Sequence, residues 1–199
     1  MMLLVATEDE LSEAVVYRLV IEARGSVEAL QPVRKEGNGY LRRSIDKFCE
    51  TARRVPVIVL TDLDAASCPP TLIREWFGTK FPPSKLVFRV AVREVEAWLL
   101  ADREGIGEFL HISPHKIDPN PEALPDPKRY LLNLARLAPR ELRNDLLPIK
   151  GAAASQGFGY NARLREFVES GWSAERASDR SQSLWKASCR IRESLNAKL

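Results

Sequence analysis

Acidic residues spaced two apart recur three times in the first half of the chain: Glu8 and Glu10 in A-T-E-D-E, Asp62 and Asp64 in T-D-L-D, and Glu94 and Glu96 in R-E-V-E-A-W. Each group follows an apolar run, respectively MLLVA, VPVIVL and KLVFRVAV. In extended backbone, side chains at i and i+2 point the same way, so Asp62 and Asp64 can offer oxygens to one divalent cation. Carboxylates gathered without a cation or base between them repel one another, so three such groups at one sheet edge call for Mg2+ or Mn2+. The bland reading uses the same residues: Glu8, Asp9 and Glu10 suit the first turn of a helix, whose dipole favours acid, and loop aspartates cap turns.

The elements that would carry these residues can be read from periodicity. Met2 to Ala6 is a short buried strand, and Thr7 to Glu10 opens a helix in which Leu11, Val15 and Leu19 recur every four residues until Gly25 ends it. Ala29 to Arg34 is a second strand. Leu41, Ile45, Phe48 and Ala52 mark the inner face of a second helix. Val55 to Thr61 is apolar enough to be a central strand covered on both sides. Pro69 and Pro70 start a helix through Phe77, Lys85 to Val92 is the fourth strand, and Glu94 to Ala101 turns helical. Such alternation builds a parallel sheet, and if strands 1 and 3 are neighbours, Glu8 or Glu10 comes near Asp62 and Asp64.

Beyond residue 110 the chain reads as helices. Asp126 and Pro127 open one with Tyr130, Leu131, Leu134 and Leu137 on a stripe, and Arg140 to Leu146 forms another. Residues 148–161 form a glycine-rich loop. One closing helix carries Leu164, Phe167 and Val168; the last starts near Ser181 and carries Leu184, Ile191 and Leu195. The expected architecture is α/β: a mainly parallel four-stranded sheet flanked by helices over residues 1–110, with an all-helical, basic extension over 111–199 packed on it.

Composition narrows the function classes. The 199 residues carry 30 Lys plus Arg against 27 Asp plus Glu, net +3. That total hides a partition: residues 1–110 are net −2, residues 111–199 net +5, with nine basic and five acidic residues from Lys150 onward. Lys150, Arg163, Arg176, Arg180 and Arg190 are therefore the expected contacts to a phosphate backbone, against the alternative of a solvated helical surface. Cys49, Cys68 and Cys189 are widely separated and read as free thiols. His111 and His115 are four apart, but Ser113-Pro114 reads as a cap and first helical residue that leaves His111 outside. Dinucleotide, P-loop, nucleophile-elbow and H-E-x-x-H motifs are missing from the sequence. No apolar run reaches the roughly 18–20 residues of a membrane span, and a cytoplasmic protein is expected.

An acidic residue after the first strand, a D-x-D after a later central strand and βα alternation over about a hundred residues resemble the Toprim fold of topoisomerases, primases and related nucleases. More closely, VATEDELSEAV, VLTDLDAASCPP, FRVAVREVEAWLLADRE, DPKRYL and the YNARLREFV…SQSLWKA ending look like a bacterial Toprim-like family, some of whose relatives accompany ATPases in mobile-element and phage-defence loci. The resemblance implies Mg2+-dependent phosphodiester hydrolysis of DNA or RNA. Asp62 and Asp64 would hold the cation, Glu8 or Glu10 would take the first-motif glutamate's acid-base or metal role, and Glu96 would match the E-A-W motif as metal support. Toprim first motifs carry a glycine just after that glutamate; this chain has A-T-E-D-E instead. The alternative function is a non-catalytic module working with an ATPase; small-substrate phosphatase chemistry shares the same metal logic.

Overall fold

Four apolar runs become the four strands of the computed structural model, which describes residues 2–24, 29–34 and 38–196. They are Met2–Thr7 (β1), Ala29–Arg34 (β2), Val57–Asp62 (β3) and Leu86–Ala91 (β4). Every pairing is parallel, in the order β2-β1-β3-β4. β3 is central because its sequence, VIVLTD, is apolar on both faces. Val57 and Val59 pack with Ala6, Leu41, Ile45, Phe48 and Leu86 on one side, while Ile58 and Leu60 join Leu3, Val5, Leu11, Val15 and Val87 on the other.

The first face is covered by Asn38–Arg43 (α2) and Ile45–Ala52 (α3), with Phe77 at the end of Pro69–Phe77 (α4). Leu41, Ile45, Phe48 and Ala52 are all buried as their spacing predicts, although the chain breaks at Ser44 (φ −97°, ψ 1°), making two helices of the expected one. The second face takes Glu10–Arg24 (α1), which starts later than expected because Thr7 is spent in β1 and the Asp9 carboxylate accepts the Ser12 amide at 2.8 Å. The expected helix stop, Gly25, lies outside the described residues.

The remaining helices are Val95–Ala101 (α5), Arg103–Leu110 (α6), Pro127–Ala135 (α7), Arg140–Leu146 (α8), Tyr160–Ser170 (α9), Ala174–Ser178 (α10) and Gln182–Asn196 (α11). α9 and α11 lie against α1, and α11 also against β4. Trp98 and Trp172 are fully buried between them, the Trp172 indole donating to the Trp98 carbonyl (3.1 Å) and the Trp98 indole to Ser183 Oγ (2.7 Å). The stripe proposed for residues 130–137 needs one correction: α7 ends at Ala135, so Leu137 is 54% exposed and Ala138 turns inward in its place. Ser113 and Pro114 open a short 3-10 turn, with His111 outside it in a left-handed conformation that ends α6. All three cysteines are free. Among the described residues no helix is long and apolar enough to cross a membrane.

Candidate active site at the carboxyl edge of the sheet

β1 leads to β2 on one side, and the chain returns to β3 on the other, so the strand order reverses between β1 and β3. Open α/β sheets place their ligands in the crevice at such a switch point, outside the carboxyl ends of the strands. Glu8 and Asp62 occupy those ends. The Glu8 carboxylate crosses the crevice, accepting from the Asp62 backbone N–H (3.1 Å) and from the Thr61 hydroxyl. Asp62 Oδ1 in turn accepts from the Val95 N–H at the start of α5 (3.0 Å), tying the third acidic segment to the same edge.

Asp64 does not continue the extended alternation assumed from its spacing. Leu63 is buried against Leu72 and Val90, and the chain then bends, with Asp64 at φ +49° and Arg93 at φ +63°. These two residues clamp each other: the Asp64 N–H donates to the Arg93 carbonyl (3.0 Å) and the Arg93 guanidinium to the Asp64 carbonyl (3.1 Å). Left-handed backbone at these two hydrogen-bonded non-glycine residues stores strain beside the carboxylates.

A second shelf of the site comes from α5. Glu94 accepts from the Lys128 backbone N–H (3.0 Å), and buried Glu96 accepts from the Tyr160 hydroxyl (2.9 Å). The Lys128 ammonium lies 4.0 Å from Glu96 Oε1 and 5.1 Å from the centre of the Tyr160 ring. Thr61, Lys128, Tyr160 and Arg93 were not singled out from sequence. Thr61 adjoins the D-x-D and could have been; Tyr160 is 64 residues from Glu96, and nothing local announces it.

The electrostatics follow from crowding acids out of water. Burial pushes the Asp62 carboxyl well above its ordinary range, and Glu96, Glu8, Asp9 and Asp64 push it further. Glu8 is raised by burial, against the opposing bonds from Thr61 and the Asp62 backbone. Burial lifts Glu94 despite the Lys128 amide, and carries Glu96 to about 7 although Lys128 pulls the other way. Tyr160 is driven upward by burial and by Glu96, so its hydroxyl stays a proton donor. Such an edge must keep protons or take a cation.

The donor chemistry, all carboxylate oxygen, suits a hard divalent ion. Among the described residues no three His, Cys, Asp or Glu side chains form a group that could hold a metal. Mg2+ commonly takes only one or two protein carboxylates and completes its shell with water and substrate phosphate. Glu8 and Asp62 are the pair the structure brings together. Asp64 and Glu96 stand within electrostatic reach of Asp62, whereas Glu10 lies in the first turn of α1, where its charge acts on Arg165.

The basic residues singled out are largely engaged with carboxylates. Arg163 meets Asp145 (2.7 Å), Glu166 (3.2 Å) and Glu141 (3.5 Å). Arg176 makes a two-pronged bond to fully buried Asp102 (both 2.7 Å), Arg180 reaches Glu104 (3.2 Å) and Arg190 reaches Glu193 (3.4 Å). Lys150 is exposed in the loop before α9.

No family model matches the sequence. None of the curated proteins matches it either. A solved structure, the C-terminal region of the Burkholderia pseudomallei OLD protein, superposes with a TM-score of 0.50 at 15% identity, over 97% of this chain and 98% of that one. At that identity the likeness is one of fold.

Proposed function

We propose that the chain is a Toprim-like nuclease that hydrolyses phosphodiester bonds of DNA or RNA with Mg2+ or Mn2+. One observation carries the reading: Glu8, just after β1, accepts from the Thr61 hydroxyl and the Asp62 backbone N–H at the end of β3, and its charge bears on the Asp62 carboxyl, so two acids from different strands stand together at the switch point of a parallel sheet. The Toprim resemblance of the sequence and the fold shared with the C-terminal region of an OLD protein support it. Asp62 and Glu8 hold the cation, Asp64 adds negative charge at its rim, and Glu96, donated to by Tyr160, keeps a proton close to the reacting phosphate. Glu10 is the lesser choice for the first-motif glutamate, because the first turn of α1 already accounts for it. The bound cation supplies an activated water and offsets charge on a phosphate oxygen. In this reading residues 1–110 carry the chemistry, and residues 111–199 carry Lys128 and Lys150, the lysines that face the phosphate backbone. Arg163, Arg176, Arg180 and Arg190 reach phosphate only with the charge their carboxylate partners leave unneutralised.

The test is cleavage of single- and double-stranded DNA and RNA in Mg2+ and in Mn2+, by the native protein and by the Asp62→Ala plus Asp64→Ala variant. Activity that the double substitution leaves intact would remove the assignment. A second reading, a non-catalytic module that docks on a partner ATPase, draws support from the four engaged arginines and from the lack of a three-ligand metal group among the described residues. Under it, millimolar Mg2+ leaves the melting temperature unmoved, whereas a true site raises it.

A further inference from the structure

Among the described residues, the non-glycine positions with positive φ are Asp64, Arg93 and His111. His111 ends α6, where a left-handed residue is ordinary. Asp64 and Arg93 lie instead at the carboxyl edge, one after β3 and the other after β4, and hold each other across it. Aspartate tolerates φ +49°, but arginine at φ +63° is strained where glycine would not be. The backbone alone would be better served by glycine, so the side chain at position 93 is what calls for a role.

Bracing the bend does not need the guanidinium. The Asp64 N–H already reaches the Arg93 carbonyl, backbone to backbone, at 3.0 Å. Nη1 adds a bond to the Asp64 carbonyl at 3.1 Å, and that neutral oxygen is the guanidinium's partner among the described residues. Arg163, Arg176, Arg180 and Arg190 each face a carboxylate, and the Lys128 ammonium stands 4.0 Å from Glu96. Arg93, bonded to a carbonyl, keeps its whole charge. It also keeps its more useful edge: with Nη1 engaged, Nε and Nη2 remain, the same two donors with which Arg176 grips Asp102 in a two-pronged bond.

We propose that Arg93 is the phosphate clamp of the carboxylate edge, its Nε and Nη2 donating to the non-bridging oxygens of the phosphodiester to be cut. The inference rests on the nuclease reading and adds to it a residue that touches substrate. An edge lined by Glu8, Asp62, Asp64, Glu94 and Glu96 repels a polyanion, and a planar guanidinium fixed beside it offsets that repulsion. The bond to the Asp64 carbonyl holds the guanidinium in place before substrate arrives, so less ordering is left to binding.

The experiment follows manganese-dependent hydrolysis of bis(p-nitrophenyl) phosphate, and the anisotropy of a short, labelled, single-stranded phosphorothioate oligonucleotide over a range of salt with Mg2+ present. Glycine suits φ +63°, so Arg93→Gly should melt no lower than native protein, while its kcat/KM drops about a hundredfold or more. Millimolar guanidinium restores part of that rate. Arg93→Lys, which keeps the charge without the paired donors, falls between glycine variant and native protein. In the glycine variant the slope of log K against log salt becomes shallower by about 0.7, the share of one phosphate contact. Native rates and a native salt slope in Arg93→Gly overturn the inference. So does a loss of rate that comes with a lower melting temperature and no rescue by guanidinium, which would make Arg93 a strut of the bend. A lysine variant as fast as native protein overturns the two-pronged contact. If Arg93→Gly is silent while Asp62→Ala plus Asp64→Ala is inactive, this inference fails alone; if native protein neither cleaves nor binds nucleic acid with any divalent cation, the nuclease reading fails with it.

Discussion

Replacing Glu96 with glutamine should stabilise the protein at pH 8 and hardly change it at pH 5. The Glu96 carboxyl is raised from 4.5 to about 7, chiefly by burial. Between those values the folded state holds a proton that the unfolded state has released, so stability falls as pH rises through the window and the full cost is present above pH 7. The gap corresponds to about 3 kcal/mol. Glutamine keeps the oxygen that accepts the Tyr160 hydroxyl (2.9 Å in the native protein) and removes the charge. For a chain of this size about 3 kcal/mol is roughly a 6–12 °C shift in melting temperature. Urea unfolding at pH 5, 6.5 and 8 in EDTA measures it: the native protein should lose stability across the series and Glu96→Gln should lose less. Asp62 and Glu8 are raised in the same direction and keep part of the slope. A native-like slope in the glutamine variant, or a variant less stable than native at pH 8, would refute the picture of an acid held in its charged form at a cost.

Two further substitutions probe the same framework. Arg176→Ala strips the guanidinium from fully buried Asp102, leaving only the amides of Gly105 and Ser173 to satisfy it, and should cost about 3 kcal/mol in urea unfolding at neutral pH. Tyr160→Phe removes the donor to Glu96, so folding should persist with a loss of about 1–2 kcal/mol at pH 8, and the alkaline limb of the cleavage pH profile, where Glu96 gives up its proton, should move to higher pH.

The strands were legible because their chemistry is continuous: V-I-V-L in β3 has no other comfortable place than between two layers, and the stripe Leu41, Ile45, Phe48 and Ala52 survives even a helix break. α6 and α10 were not separable in advance. α6 contains two glycines and is held at its start by the Asp102 cap, and α10 has only five residues, too few for a period. The acids of the site could be named from T-D-L-D and A-T-E-D-E because strand ends put them at one edge. Their partners could not, since Tyr160 and Lys128 arrive from the helical half through tertiary packing. Charge counting also misled in one respect: the excess of basic residues after Lys150 is real, but Arg163, Arg176, Arg180 and Arg190 each face a carboxylate that a net total does not reveal.

Glu8 and Asp62 are proposed to form the cation-binding edge of the sheet. Crystals soaked in millimolar Mn2+ and measured for anomalous scattering test it directly. The expected peak lies between the carboxyl ends of β1 and β3, bonded to Asp62 and Glu8 and lost in Asp62→Ala; a map without a peak at that edge, or with manganese bound only elsewhere, would overturn the assignment.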